Sequence, residues 1–405
     1  RMAETSEMLW NYLLNNLELL KQLDKPFPDI SVENLTKILE DQLSACKGNE
    51  EEEIDQLRQF KHTITFLIGS AEMEGLVSYE HARNGMTMLA EIIIGVAFNL
   101  CQKSLASHYG EVKDAKGEPC NFAIVGLGKL GGKEMTYLSD LDLIFIHSGD
   151  GSTTGPSIAG AQEYWIKIIQ RLISCLSTVT RTGFAYKLDT RLRPSGNAGV
   201  LVSSLNTYIN YHNSSETWEH QALIKARVIG GSGSHEWFDE VKDVLHRAVY
   251  EWHPPGDLNA SINHLRQRKE KELSRETEHK RNIKEGRGGL LDIEYLTQAL
   301  QLKHGRLCPR LQNPKTMETL RELGKNSIIK KKESKVLQKN YIFLRLIENG
   351  LRLIYDDSTN LLDFKRVQQT TILQLLKHQG YSVNNLRDAV ESATIEIREI
   401  YLNYF

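Results

Sequence analysis

Hydrophobic residues recur every three or four positions along most of the chain, a spacing that places them on one face of a helix. In the N-terminal part the repeating positions include Leu9, Leu13, Leu17 and Leu20. Met88–Leu100 is apolar almost without interruption, and the periodicity returns in residues 290–405 with Leu337, Tyr341, Leu344, Leu351 and Ile354. The pattern therefore predicts helical regions at both ends of the chain, with this last stripe buried as core.

Short strand-like segments interrupt the helical pattern in the middle of the chain. The apolar runs Phe122–Val125 and Leu143–Ile146 have the length and composition of buried strands. In 183–193 apolar and charged residues alternate, which is typical of a half-buried strand. We therefore predict an α+β, mostly helical fold: a small mixed sheet within 116–235, between a helical region at 1–115 and a helical bundle at 236–405.

Composition and charge narrow the class of protein. The 405 residues are 40% hydrophobic and 25% charged, with a net charge of −2, which argues against bulk nucleic acid as the main partner. We find no secretory signal and no run that approaches a membrane span. Five scattered cysteines without C-x-x-C spacing predict a reducing, cytoplasmic setting and no structural zinc. The glycine-rich stretch 230–234 is the best candidate linker, and the start at Arg1 is what a fragment would show.

Two aspartates begin the second predicted strand and carry the strongest chemical signal. If the strand starts at Leu141, Asp140 and Asp142 project on the same side, beside a glycine-rich turn that follows the first strand. Paired carboxylates suit a divalent cation, and exposed backbone N–H groups suit phosphate oxygens. A solvent-exposed or capping pair is the plain alternative. Asp189, on the charged face of the third predicted strand, adds a third acid and favours a metal-dependent phosphoryl or nucleotidyl transfer site.

A dinucleotide-binding motif is the first competing interpretation. Gly126–Gly131 fits G-x-G-x-x-G after a strand. That fold requires a crossover helix before its next strand, and only about ten residues separate Gly131 from Leu141. The spacing therefore disfavours it.

Three weaker candidates remain open between function and structure. Arg191 and Arg193 could bind a nucleotide phosphate, or they could be solvated and paired with Asp189. His220 on a predicted helix is a packing residue or a catalyst. The turn at 287–289 precedes a helix, where it could bind an anion or simply start the helix.

Four motifs in order across residues 121–300 carry a resemblance. They are GLGKLGGKEMTYLSDLDLIF, LDTRLRPSGNAGVLV, TWEHQAL and GRGGLLDIEY. Together they resemble the glutamate–ammonia ligase (glutamine synthetase) adenylyltransferase family, within the DNA polymerase β-like nucleotidyltransferase superfamily. Helical segments before residue 110 are similar to the region that precedes this family's catalytic core.

The resemblance implies an activity and partners. This family carries two related halves: one moves AMP from ATP to a tyrosine of glutamine synthetase, and the other removes it by phosphorolysis. The chain covers one half. Pro194-Ser195-Gly196 and residues 218–221 are similar to the transferring half, whereas 286–289 resembles the removing half, so the reverse direction stays open. Glutamine synthetase and a PII-type regulatory protein are the implied partners, with no nucleic acid and no membrane.

The resemblance also implies roles for individual residues. Asp140 and Asp142 bridge two Mg²⁺ ions, and Asp189 completes the metal site. Gly131, Gly132 and Ser139 fall where the superfamily binds the triphosphate of ATP. A catalytically silent module that only binds a nucleotide or a partner is the alternative from another class of function.

Overall fold

Helices fill the N-terminal region, as the hydrophobic spacing predicts. The computed structural model of the chain describes residues 5–23, 27, 29–254, 256–366 and 369–405. The first helices are α1 (Glu7–Asn15), α2 (Leu20–Leu23), α3 (Val32–Ala45), α4 (Glu50–Met73) and α5 (Tyr79–Tyr109). Most begin after a residue whose side chain caps a free backbone N–H of the first turn. These capping residues are Ser6, Ser31, Asn49 and Ser78.

The longest helix, α5, departs from the expectation that no run approaches a membrane span. Its 31 residues are long and apolar enough to cross a membrane by length and composition alone. The helix instead lies in the main hydrophobic core, where Phe98 stacks on Phe122 of the sheet at a ring distance of 5.5 Å. Its apolar composition is therefore accounted for by core packing.

A five-stranded mixed sheet forms the centre of the molecule, as predicted. Its strands are β2 (Phe122–Gly126), β3 (Leu141–His147), β5 (Leu188–Asp189), β6 (Ser203–Ser204) and β7 (Arg227–Ser232). The order is β5-β3-β2-β7, with β6 also paired to β3. Strand β2 is antiparallel to β3 and β7, whereas β5 and β6 run parallel to β3. Antiparallel β2 and β3 exclude the dinucleotide-binding crossover that the glycine motif alone suggested.

Each face of the sheet has its own core. Phe122 and Ile124 face the N-terminal helices, and the alternate residues Ala123 and Val125 face the opposite side. The first side is also covered by α7 (Ala161–Ser177). The second side is covered by α8 (Leu205–His212) and α10 (His235–Tyr250), with α9 (Thr217–Leu223) between them in the chain. A small ribbon of β1 (Val112–Lys113) and β4 (Ser152–Thr153) lies in the loops beside the sheet.

Two local predictions were wrong. The glycine-rich stretch 230–234 is not a linker, because β7 pairs with β2 through Ser232. A Cβ at Gly231 would lie 2.0 Å from the carbonyl oxygen of Phe122, so the composition of the stretch reflects close strand pairing. The alternating segment 183–193 forms a strand only at Leu188–Asp189, because the chain turns at residues 191–198.

The C-terminal region is helical, as predicted, and its helices pack around a core of their own. It contains α11 (Leu258–Leu273), α12 (Leu290–His304), α13 (Thr316–Lys325), α14 (Lys331–Tyr355), α15 (Gln369–His378) and α16 (Leu386–Leu402). The predicted stripe on α14, Leu337 to Ile354, is buried in this core. A ribbon of β8 (Lys280–Asn282) and β9 (Leu361–Asp363) completes the region. The end of α14 reaches the first helix, where the Ser6 hydroxyl donates to the Leu353 carbonyl.

Candidate active site

In the turn between β2 and β3, the carboxylate of Asp142 lies close to the backbone at Gly128. A single helical turn, α6 (Gly128–Gly131), follows β2, and the Leu127 N–H donates to the backbone carbonyl of Asp142 at 2.9 Å. Gly128 has a φ of +51°, and a Cβ there would lie 2.1 Å from Oδ2 of Asp142. Glycine at this position avoids both the strain of a positive φ and a contact with the carboxylate.

The three predicted acids come together at one edge of the sheet. Asp142 and Asp189 are register partners on the parallel strands β3 and β5, and Asp140 precedes β3 on the exposed side. The carboxylates of Asp140 and Asp142 accept no hydrogen bond from any described residue. Burial, followed by repulsion from Asp189, raises the pKa of Asp142 to about 6. The ionised form of Asp142 is therefore disfavoured, and no hydrogen bond from a described residue stabilises it.

Asp189 is held differently, because Arg191 covers its carboxylate. The Arg191 guanidinium donates from Nε at 2.9 Å and from Nη2 at 2.5 Å, and its backbone N–H donates at 2.9 Å. These hydrogen bonds lower the pKa of Asp189. Arg193 donates instead to the carbonyl and hydroxyl oxygens of Thr190 and thus fastens the turn. The contacts of both arginines are with the protein itself, and their predicted role toward a nucleotide stays a prediction.

The acidic edge matches a divalent cation in charge and donor type. Half-buried Asp142 and exposed Asp140 supply hard oxygen donors whose charge no hydrogen bond offsets, and Mg²⁺ prefers such ligands. Among the described residues, no three His, Cys, Asp or Glu side chains lie close enough together to hold a metal ion. Asp189 is turned toward Arg191, so a complete three-carboxylate set requires that ion pair to open.

A cavity of about 320 Å³ joins the acids to basic side chains that the sequence did not reveal. Ser139, Asp140 and Asp142 line it together with Lys129, Lys284, Arg352 and Asn360. Lys129 belongs to the glycine turn itself, where its place inside the motif was a usable signal. The other three come from the C-terminal region. Lys284 lies just before the glycine turn at 286–289, and nothing in the local sequence marks Arg352 or Asn360. A phosphate chain with bound cations requires both signs of charge in one cavity.

A buried glutamate anchors the basic side of this cavity. Glu348 on α14 accepts hydrogen bonds from Lys129 at 2.8 Å, Arg345 at 2.7 Å and Arg352 at 3.1 Å. Burial alone would raise the pKa of Glu348, but these cations hold it well below its usual range. Arg352 also donates to the carbonyl of Tyr137 at 3.0 Å. Helix α14 therefore fixes both the lysine and the loop that leads to Asp140.

The predicted phosphate-binding glycines do not line this cavity. The amides of Gly131 and Gly132 donate to the carbonyls of Leu127 and Gly128, at 2.8 and 3.0 Å. A Cβ at Gly131 would lie 1.8 Å from the carbonyl oxygen of Lys225. Close backbone packing accounts for this glycine. Ser139 does line the cavity, and its hydroxyl lies 2.8 Å from that of Thr136.

The two remaining weaker candidates, His220 and the turn at 287–289, have structural partners. His220 is fully buried, stacks on Trp252 at 4.0 Å and contacts the carbonyl of Ala248 at 2.7 Å. The Gly288 N–H, before α12, donates to the carboxylate of Asp292, which itself pairs with Arg266. The chain's own side chains therefore satisfy both positions, as the structural alternatives predicted.

Comparison with known proteins identifies the family of the chain. A family model described as glutamate-ammonia ligase adenylyltransferase matches residues 1–240. The chain belongs to this family. A second model, described as GlnD PII-uridylyltransferase, matches residues 256–405, the region that supplies Lys284, Arg352 and Asn360.

A curated relative from Mannheimia haemolytica extends the match across both regions. It is described as a bifunctional glutamine synthetase adenylyltransferase/adenylyl-removing enzyme, and it is 33% identical over 336 residues. The alignment covers 80% of this chain and 34% of the relative. The chain therefore spans about a third of the length of this relative.

Proposed function

We propose that this chain transfers AMP from ATP to a tyrosine of glutamine synthetase and releases pyrophosphate. The observation that carries the proposal is the cavity whose lining combines Asp140 and Asp142 with Lys129 and Lys284. A nucleoside triphosphate with divalent cations needs both signs of charge within a few ångströms. Family membership narrows the reaction to adenylyl chemistry.

Each side chain has a distinct task in this reaction. Asp140 and Asp142 would hold Mg²⁺, two ions in our proposal, with Asp189 as the third ligand. When bound, the ions would offset phosphate charge and lower the pKa of the attacking hydroxyl. Lys129 and Lys284 would offset the charge of the phosphate chain within the same cavity. The tyrosine oxygen forms a bond to the α-phosphorus, the α–β bond breaks, and the hydroxyl proton passes to solvent.

The same cavity could run the removing reaction, in which phosphate attacks the phosphorus of AMP-tyrosine and ADP leaves. Pro194-Ser195-Gly196 and residues 218–221 resemble the transferring half of the family and support transfer. The sequence at 286–289 resembles the removing half and supports removal. A PII-type protein as a regulatory partner is a further proposal, supported by the GlnD-like region.

Mass spectrometry of glutamine synthetase tests the direction. Incubation with the chain, ATP and Mg²⁺ should add AMP to a tyrosine, and incubation of the adenylylated enzyme with phosphate should release little ADP. Loss of AMP in the second reaction, with no gain in the first, would reverse the direction. ATP binding without any modification would favour a silent binding module.

A further inference from the structure

We call the cavity of about 320 Å³ that contains Asp140 and Asp142 the acidic cavity. A second cavity, of about 400 Å³, adjoins it. The two cavities share Leu138, Ser139, Asp140 and Ser358, so one ligand could extend from one into the other past Asp140. The volume lies in the range of roughly 300–1,000 Å³ that is usual for pockets that bind small molecules. We will call it the aromatic cavity, because Tyr12, Phe184 and Tyr186 line it.

Two buried polar groups that line the aromatic cavity retain hydrogen-bonding capacity that the described residues do not fill. Tyr186 is 4% exposed, and its hydroxyl has no hydrogen-bond partner in the described structure. Lys61 is 6% exposed and donates to the Tyr12 hydroxyl at 3.1 Å, and no described carboxylate pairs with it. An ammonium has three donors, so Lys61 retains unused ones. Buried donors without acceptors are costly, which indicates a place for a ligand with acceptor atoms.

His62 adds an acceptor to the same wall. Its ring stacks on Tyr12 at 4.9 Å, and its Nε2 lies 3.1 Å from the carbonyl oxygen of Phe184. Burial, then the charge of Lys61, lowers the pKa of His62 to about 3, so the imidazole is neutral. In the tautomer that this carbonyl selects, Nε2 carries the proton and Nδ1 is left as an acceptor. The cavity therefore combines flat aromatic surfaces with two donors and one acceptor.

We propose that the aromatic cavity binds the adenosine part of ATP. The proposal rests on the proposed function, which places the phosphate chain in the acidic cavity. The end of that chain that carries adenosine would then lie near Asp140, which lines both cavities. Adenine is planar, has ring nitrogens that accept hydrogen bonds and carries an amino group that donates one. Its pattern matches Tyr186, Lys61 and His62. The tyrosine of an acceptor protein would be a poorer match, because its ring offers a single hydroxyl.

Calorimetric titration with adenosine, without metal or acceptor protein, tests this proposal. Tyr186→Phe removes only the unpartnered hydroxyl, and we expect it to weaken adenosine binding by about three- to tenfold. Binding of inorganic tripolyphosphate with Mg²⁺, which probes the acidic cavity, should not change. Tyr208→Phe is the matched control, because Tyr208 is equally buried with an unpartnered hydroxyl but lies in the core on the other side of the sheet. We expect this control to bind adenosine as the parent does.

Several results would overturn the proposal. They are parent-like adenosine binding by Tyr186→Phe, equal losses in Tyr186→Phe and Tyr208→Phe, and a change confined to the KM for the acceptor protein. The last result would place the acceptor tyrosine in the cavity. If the parent transfers AMP but Tyr186→Phe binds adenosine as tightly as the parent, only this inference is refuted. A parent that binds adenosine through Tyr186 but modifies no protein would refute only the proposed function.

Discussion

Asp142 on β3 lies directly opposite Asp189 on the parallel strand β5. Two opposed carboxylates repel each other, and the structure relieves only one of them. Arg191 covers Asp189 and lowers its pKa, whereas burial and the neighbouring acid raise the pKa of Asp142 to about 6. A bound cation would therefore stabilise the ionised form of Asp142 more than that of Asp189.

Asp142→Asn should abolish nucleotidyl transfer and leave the fold intact. The change removes a repelled, half-buried charge, so the melting temperature at pH 7–8 should equal or exceed that of the parent. We expect turnover to fall by about two orders of magnitude or more, since cation binding loses a central ligand. Labelled-AMP transfer and thermal unfolding measure the two effects separately.

Asp150→Asn is the control for this variant. Asp150 is exposed and lies just beyond the opposite end of β3, away from the acidic cavity. Its amide variant should behave like the parent in both assays. If folded Asp142→Asn transfers AMP at nearly the parent's rate, Asp142 is not a metal ligand.

The sequence predicted the centre of the site better than its walls. The strand that starts at Leu141 and the placement of Asp140 and Asp142 on one side of it follow from local patterns, because strand periodicity determines them. The approach of Asp189 depends instead on the parallel pairing of β5 with β3. Lys284 and Arg352 contribute to the same cavity from more than 140 residues away. Such placement results from tertiary packing, which periodicity does not encode. The role of Gly131 and Gly132 was ambiguous in the sequence. Glycine is required where a phosphate approaches the backbone and equally where another backbone segment packs closely against it.

Gly131→Ala should destabilise the protein. Its Cβ would meet the backbone carbonyls of Lys225 at 1.8 Å and Gly126 at 2.5 Å, and backbone atoms cannot rotate away. We expect a loss of at least about 2 kcal/mol in the free energy of unfolding. Urea unfolding followed by circular dichroism measures it.

Gly230→Ala provides the comparison, since a Cβ there meets nothing within 4 Å. Its stability should stay within about 0.5 kcal/mol of the parent. A stable Gly131→Ala protein with weakened tripolyphosphate binding would instead support a direct phosphate role for Gly131.

Lys284→Met should weaken binding of ATP and of tripolyphosphate by about tenfold or more, because a charge-assisted contact to phosphate is lost. Adenosine binding should be unchanged. Lys280→Met is the matched control: Lys280 lies on β8, outside the acidic cavity, and pairs with Asp363 at 3.5 Å. Titration at two salt concentrations checks the result, since the loss should shrink as salt rises. Equal affinities for the two variants would exclude Lys284 from the phosphate site.

Glu72 on α4 should make stability depend on pH. The side chain is 1% exposed, accepts a hydrogen bond from the Tyr137 hydroxyl at 2.6 Å, and burial raises its pKa from 4.5 to about 7. Between those pH values the native state keeps a proton that the unfolded chain releases. Stability should therefore fall as pH rises from 4.5 to 7, by about 3 kcal/mol in total from this group.

Glu72→Gln should remove this contribution, because an amide keeps an acceptor for Tyr137 but carries no charge. We expect the variant to match the parent near pH 5 and to exceed its stability by up to about 3 kcal/mol near pH 8. Urea unfolding at pH 5, 6, 7 and 8 measures the difference. Glu51→Gln, exposed on the same helix, should leave the parent's pH profile unchanged. If Glu72→Gln keeps that profile as well, Glu72 is ionised in the native protein across the whole range, and the pH dependence originates elsewhere.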